Sequence, residues 1–202
     1  MTDKKEHWEN VYATKQPHEV SWTQEKPEIS LQYIHSLNLP KTAQIIDIGG
    51  GDSKLVDYLL ADGFENITVL DISAAALERA KARLGEKANK VKWVVSDITA
   101  FEPEQQYDIW HDRAAFHFLT TPEQIDKYLS TARKAAKEYL VICTFSNNGP
   151  KKCSGLDIKQ YSEEELQKQL AKGFVKIHCS TVDHTTPFNT TQNFLCCSFK
   201  RV

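Results

Sequence analysis

Three carboxylates, a cluster of glycines and a histidine–aspartate–arginine run carry the chemistry this chain offers. Asp47 interrupts the apolar run Ile45–Ile48, Asp71 ends Ile67–Leu70, and Asp97 lies near the end of Val91–Ile98. Carboxylates at the ends of buried strands accept hydrogen bonds from hydroxyls or amines of a ligand lying across those ends. Gly49, Gly50 and Gly51 follow Asp47 directly, so backbone approaches whatever sits above the strand. Further on, His111, Asp112 and Arg113 stand together, with His117 one turn later. Asp112 could take a proton or pair with a cation, and His111 or His117 could act as a base near neutral pH. Arg113 could hold a carboxylate through two parallel hydrogen bonds. The same residues also admit a purely structural role: an Asp112–Arg113 ion pair shaping a loop, and His117 packed on a helix.

The elements that position these groups alternate. Ile45–Ile48 reads as a buried strand, the glycines as a turn, and Lys54–Leu60 as the start of a helix that ends at Asp62-Gly63. A second strand ends at Asp71. Ser73 then caps the helix Ala74–Leu84, which Gly85 closes. Such alternation implies a parallel sheet with right-handed crossovers. The dinucleotide fingerprint needs a glycine at the sixth position of the turn, where Lys54 stands, and no Gly-Lys-Ser/Thr supplies a phosphate loop.

Asp47-Ile48-Gly49-Gly50-Gly51, followed by Ser53, resembles the first motif of class I S-adenosylmethionine-dependent methyltransferases. Asp71, Asp97 and the strand Tyr107–Asp112 fall in the order that family requires. The resemblance covers nearly the whole chain and extends to small-molecule and protein-lysine members. It implies a Rossmann-like, doubly wound α/β sheet of seven strands, mostly parallel, with one antiparallel strand from a C-terminal hairpin. It implies S-adenosyl-L-methionine as cofactor. Asp47, Gly49 and Gly51 would shape the methionine end, Asp71 would bind the ribose, and Asp97 with Ile98 would flank the adenine, with Ser53 and Ile72 also at the cofactor. Asp112, His111 and His117 would be the catalytic candidates, with Arg113 contacting substrate. Two departures narrow the acceptor. The Asn/Asp-Pro-Pro-aromatic run of adenine-directed members is replaced by His111-Asp112-Arg113-Ala114, and no carboxylate set suits a catechol-type metal.

Residues 1–40 precede the sheet and read as a helical arm, with residues 41–202 forming the rest of a single domain. Trp8, Tyr12 and Trp22 in this arm would either cover the cofactor, their faces meeting a sulfonium, or anchor the arm on the core. Thr121-Pro122-Glu123-Gln124 is a capping box that opens a helix to about Lys137, and Tyr139–Phe145 is the fifth strand. The loop around Cys153-Ser154-Gly155 could roof the substrate. Ser162 caps a further helix, and Phe174–Asp183 and Asn193–Phe199 read as the closing strands. The chain has 202 residues and a net charge of −2, which gives no general attraction to duplex nucleic acid. Five cysteines and no secretory leader suggest reduced thiols in the cytoplasm, with no membrane segment. The expectation is a monomer or weak dimer that methylates a small-molecule acceptor. A protein-lysine methyltransferase and a non-catalytic cofactor-binding partner are the alternatives.

Overall fold

The computed structural model describes residues 2–202, with side chains from Lys4 onward. The chain runs α1 (Thr2–Thr14), α2 (Glu28–Ser36), β1 (Gln44–Ile48), α3 (Leu55–Ala61), β2 (Asn66–Asp71), α4 (Ala74–Leu84), β3 (Val91–Val95) and β4 (Tyr107–Arg113). It continues through α5 (Pro122–Ala135), β5 (Ala136–Phe145), the short hairpin β6 (Lys152–Cys153) and β7 (Leu156–Asp157), α6 (Glu163–Leu170), β8 (Phe174–Thr185) and β9 (Thr191–Arg201). Seven strands form one sheet in the order β3-β2-β1-β4-β5-β9-β8. β1 to β5 are mutually parallel, and β9 runs antiparallel to both β5 and β8. This is the mixed, doubly wound sheet expected from the sequence. The order reverses at β1 and β4, which leaves a crevice at their carboxyl ends.

Alternating side chains send each strand's residues to two cores. Ile46, Ile48, Trp110, Leu140 and Ile142 pack with α5 and α6, through Tyr128, Leu129, Leu166 and Leu170. Ile45, Val69, Ile109, Val141 and Cys143 pack with α2 and α3, through Leu31, Ile34, Val56 and Leu59. Caps hold the helices where strand ends need them. Ser73 accepts from the Ala76 amide, and Thr121 and Ser162 each form the expected capping box.

The cysteines depart from expectation. Cys143 on β5 is directly opposite Cys196 on β9, and Cys179 on β8 is opposite Cys197; both pairs are disulfide-bonded. Neighbours on one strand face opposite sides, so Cys196 and Cys197 reach different partners. Among the described residues only Cys153 is a free thiol, and it is buried. Register, which a count of cysteines does not contain, decides this pairing.

Candidate functional site

The glycine turn hangs from the neighbouring strand: the Gly49 and Gly50 amides both donate to the Leu70 carbonyl, at 2.8 and 3.1 Å. Gly49 and Gly51 have φ of +66° and +49°, a region that side chains avoid. A Cβ on Gly49 would lie 2.6 Å from that of Ala115, and one on Gly51 would lie 2.7 Å from the Tyr12 hydroxyl. The turn is therefore threaded tightly between β4 and α1. Above it opens a cavity of about 390 Å³, within the range of small-molecule and cofactor sites.

Most of the residues picked out in the sequence converge on this cavity. Trp8, Tyr12, Trp22, Asp47, Gly49, Ser53, Asp71, Ile72, Asp97, Ile98, His111 and Arg113 all line it, while Gly51 supports the turn from behind Tyr12. Asp71 accepts from the Ser73 amide at 2.8 Å. Burial, opposed by that bond and reinforced by Asp52 and Asp47, raises its carboxyl to about 7. Asp97 turns one oxygen inward to the Thr99 amide and hydroxyl, both at 2.8 Å. The aromatics pack as one cluster: Trp8 lies edge-on to Trp22 at 5.5 Å and to Phe118 at 5.1 Å, with Tyr12 6.3 Å from Trp22. The arm is fastened by Glu9. Its carboxylate accepts from the Ala74 and Ala75 amides and the Ser73 hydroxyl, at 2.8 to 3.0 Å, meeting the positive end of α4. No local pattern in the chain points to this contact.

The candidates on β4 separate. The strand extends to Arg113, so His111 and Arg113 face one core while Asp112 faces the other. Asp112 is fully buried away from the cavity, accepting from the Ala115 and Phe116 amides and from the Tyr128 hydroxyl. Burial raises it to about 6. It clamps the turn after β4 instead of facing a substrate, which corrects the expectation of a catalytic carboxylate there. His117 is corrected likewise. It is 0% exposed, stacks on Phe145 at 4.3 Å, and lies outside the cavity lining. Neither ring nitrogen has a partner, and burial beside Arg113 pushes the ring down to about 3.

His111 remains at the cavity. It sits directly beside Asp47 in the β1–β4 register, with its Nδ1 2.7 Å from Asp47 Oδ1 and its Nε2 2.9 Å from Ser30 Oγ. Arg113 donates to the Trp22 carbonyl at 3.3 Å and lies 5.1 Å from the Phe194 ring centre. Burial lowers it to about 10, opposed by Asp47, so it stays cationic near neutral pH. Among the described residues no carboxylate is within ion-pair distance of it. It also borders a second cavity of about 270 Å³, shared with Gln24 and lined by Lys26, Glu28, Asp183, His184 and Phe194. The next residue, Ala114, has φ +70°, a strained conformation at the mouth of the site. Cys153, from the loop expected to roof the substrate, also lines the cavity, as do Ser30 and Lys4, which nothing in the sequence singled out.

In fold, glycine turn and the order of acidic strand ends, the chain resembles the class I S-adenosylmethionine-dependent methyltransferases. A family model described as a methyltransferase domain matches residues 45–138. The chain is 32% identical over 105 residues to a malonyl-[acyl-carrier protein] O-methyltransferase of Anoxybacillus flavithermus, covering 51% of this chain and 39% of that protein. It is 24% identical to EEF1A lysine methyltransferase 2 of Danio rerio, over 84% of this chain and 74% of the other. In fold it is similar to the N-methyltransferase NodS of Bradyrhizobium japonicum bound to S-adenosyl-L-homocysteine, with TM-score 0.74, 16% identity, and 98% and 97% of the two chains covered. The chain thus spans about two fifths of the length of the malonyl methyltransferase. Among the described residues no helix is long and apolar enough to cross a membrane, and no cluster of side chains suits a metal ion.

Proposed function

We propose that this protein transfers a methyl group from S-adenosyl-L-methionine to a small acceptor that carries an acidic group. The donor set fits that cofactor. The Asp71 carboxylate is buried at the cavity wall, the glycine turn has no room for a Cβ, and an aromatic cluster forms part of the lining. Asp71 would accept from the ribose diol, Ile72, Asp97 and Ile98 would border the adenine, and Asp47, Gly49 and Ser53 would line the methionine end. Trp8, Tyr12 and Trp22 would exclude water. When bound, the cofactor supplies a methyl group already activated by its sulfonium. The protein's own task is then to orient the acceptor, which can be worth roughly 7–11 kcal/mol.

One observation carries the choice of acceptor: the enclosed Arg113 guanidinium, standing between the two cavities without a carboxylate partner. A half-buried cation with spare donors recognises a carboxylate or a similar anion. The same charge repels an entering ammonium. That counts against the protein-lysine reading, which the Danio rerio relative otherwise favours. Replacing Arg113 by Met tests the assignment by product formation on panels of small acids and lysine peptides. The expected result is a KM for acids raised at least tenfold, with unchanged affinity for S-adenosylhomocysteine. Methylation of peptides but not acids by the unaltered protein would favour the lysine reading. Lost cofactor affinity would instead place Arg113 on the methionine carboxylate.

A further inference from the structure

The cavity holds a hydrogen-bonded chain, two members of which, His111 and Ser30, have no part in cofactor binding. Asp47, His111 and Ser30 are linked through distances of 2.7 and 2.9 Å, each is at most 4% exposed, and all three line the cavity. The three come from β1, β4 and the first turn of α2, so the arrangement exists only in the folded chain. An ionised carboxylate only accepts, so the hydrogen on the imidazole lies on Nδ1, toward Asp47. Nε2 then presents its lone pair to the Ser30 hydroxyl, which donates. Carboxylate, imidazole and hydroxyl in this order make a base held in one tautomer and able to draw a proton through the hydroxyl. The charged groups around the ring include Asp47 from β1, and on β4 its chain neighbour Asp112 and Arg113, the next position on the same face. α2 contributes only the uncharged Ser30.

We propose that Ser30, acting through His111 and Asp47, receives the proton that the acceptor's nucleophile gives up. This rests on the methyltransferase reading and deepens it. The nucleophile's proton passes to Ser30 Oγ as the serine hydrogen passes to His111 Nε2. Ser30 ends as a neutral hydroxyl and His111 as an imidazolium. The acceptor gains a methyl and loses a proton, so the positive charge that leaves the sulfonium reappears on the imidazolium, where Asp47 balances it. After product release, the ring returns its proton to water through Ser30. The group that would recognise the acceptor, Arg113, lies along the same strand face. An acid held there brings its nucleophile to the same wall of the cavity.

Nitrogen NMR of histidine-labelled protein saturated with S-adenosylhomocysteine reads the tautomer directly, without turnover. The expected spectrum places the hydrogen of His111 on Nδ1 and leaves a bare Nε2 that shifts in Ser30→Ala. A hydrogen on Nε2 overturns the relay. The second readout is single-turnover methylation of small carboxylic acids bearing an amine, thiol or hydroxyl group, followed from pH 6 to 9. Ser30→Ala should slow it about 100-fold and remove the acid limb of the profile. Ser30→Thr, which keeps the hydroxyl, should restore most of the rate. S-adenosylhomocysteine affinity should stay within about twofold in both variants. A full rate with an unaltered pH profile in Ser30→Ala overturns the proposal. No binding of S-adenosylhomocysteine by the unaltered protein would instead overturn the methyltransferase reading beneath it.

Discussion

Acidification should release the cofactor, and the size of the effect follows from one carboxyl group. Burial lifts Asp71 to about 7 in the free protein. A ribose diol donates to a carboxylate, and a protonated carboxyl offers it one acceptor fewer. Affinity for S-adenosylhomocysteine should therefore track the ionised fraction of Asp71. It should be flat above pH 8 and fall about tenfold per unit below pH 7, or about 1.4 kcal/mol per unit. Binding near pH 7 should also release a fraction of a proton. Calorimetric titrations between pH 5.5 and 8.5, in two buffers of different ionisation enthalpy, measure both quantities. Asp71→Asn is the control. It should lose about 1–3 kcal/mol of affinity at pH 8 and lose the pH dependence with it. The reasoning is refuted if affinity holds down to pH 5.5, or if the Asn variant keeps the same slope. For stability the sign is opposite to that of a salt-bridged aspartate. The folded protein holds this proton between pH 4 and 7 while the unfolded chain releases it, so Asp71's contribution to stability falls as pH rises through that window.

Three further substitutions have defined outcomes. His117→Phe keeps the stack on Phe145 and removes two unpartnered nitrogens, so unfolding in denaturant at pH 7 should show a gain of about 1–3 kcal/mol. The gain should widen at pH 5, because below pH 6.5 the unfolded histidine takes up a proton that the folded ring, lowered to about 3, does not. A destabilised variant would contradict this account. Glu9→Gln weakens the hold of the arm on the start of α4 by about 1 kcal/mol. Hydrogen exchange across α1 should accelerate while the sheet is unaffected, and unchanged exchange in α1 would count against the contact. Gly49→Ala meets both a positive φ and the Ala115 side chain, and should cost at least about 1–2 kcal/mol in stability. A variant with unaltered melting would show that the turn is looser than described.

What the sequence made legible was local. The strand–glycine–helix turn, the Ser73 cap and the two capping boxes depend on residues within a few positions of each other, and they stand where expected. The β4 site was harder: the sequence placed His111 and Asp112 on one strand, Tyr107–Asp112, yet offered both to the substrate. Alternation along β4 sends them to opposite faces, so only one can face the cavity. α5 likewise gives way to β5 at Ala136, not near Lys137. Ser30, Glu9 and the cysteine pairs act across 53 to 81 positions in the case of Cys143–Cys196, His111–Ser30 and Glu9–Ala74, or through strand register for Cys179–Cys197. Such contacts are made by tertiary pairing, which local patterns do not encode. The Asp47–His111 pair lies between: it follows at once when β1 and β4 are set side by side.

Equilibrium dialysis of the purified chain against labelled S-adenosyl-L-homocysteine at pH 8 addresses the cavity above Gly49 most directly. Saturable uptake of one molecule per chain, strongly weakened by Asp71→Asn, is the predicted result. No uptake at millimolar ligand, or uptake indifferent to Asp71, would contradict the assignment of that cavity to the adenosyl cofactor.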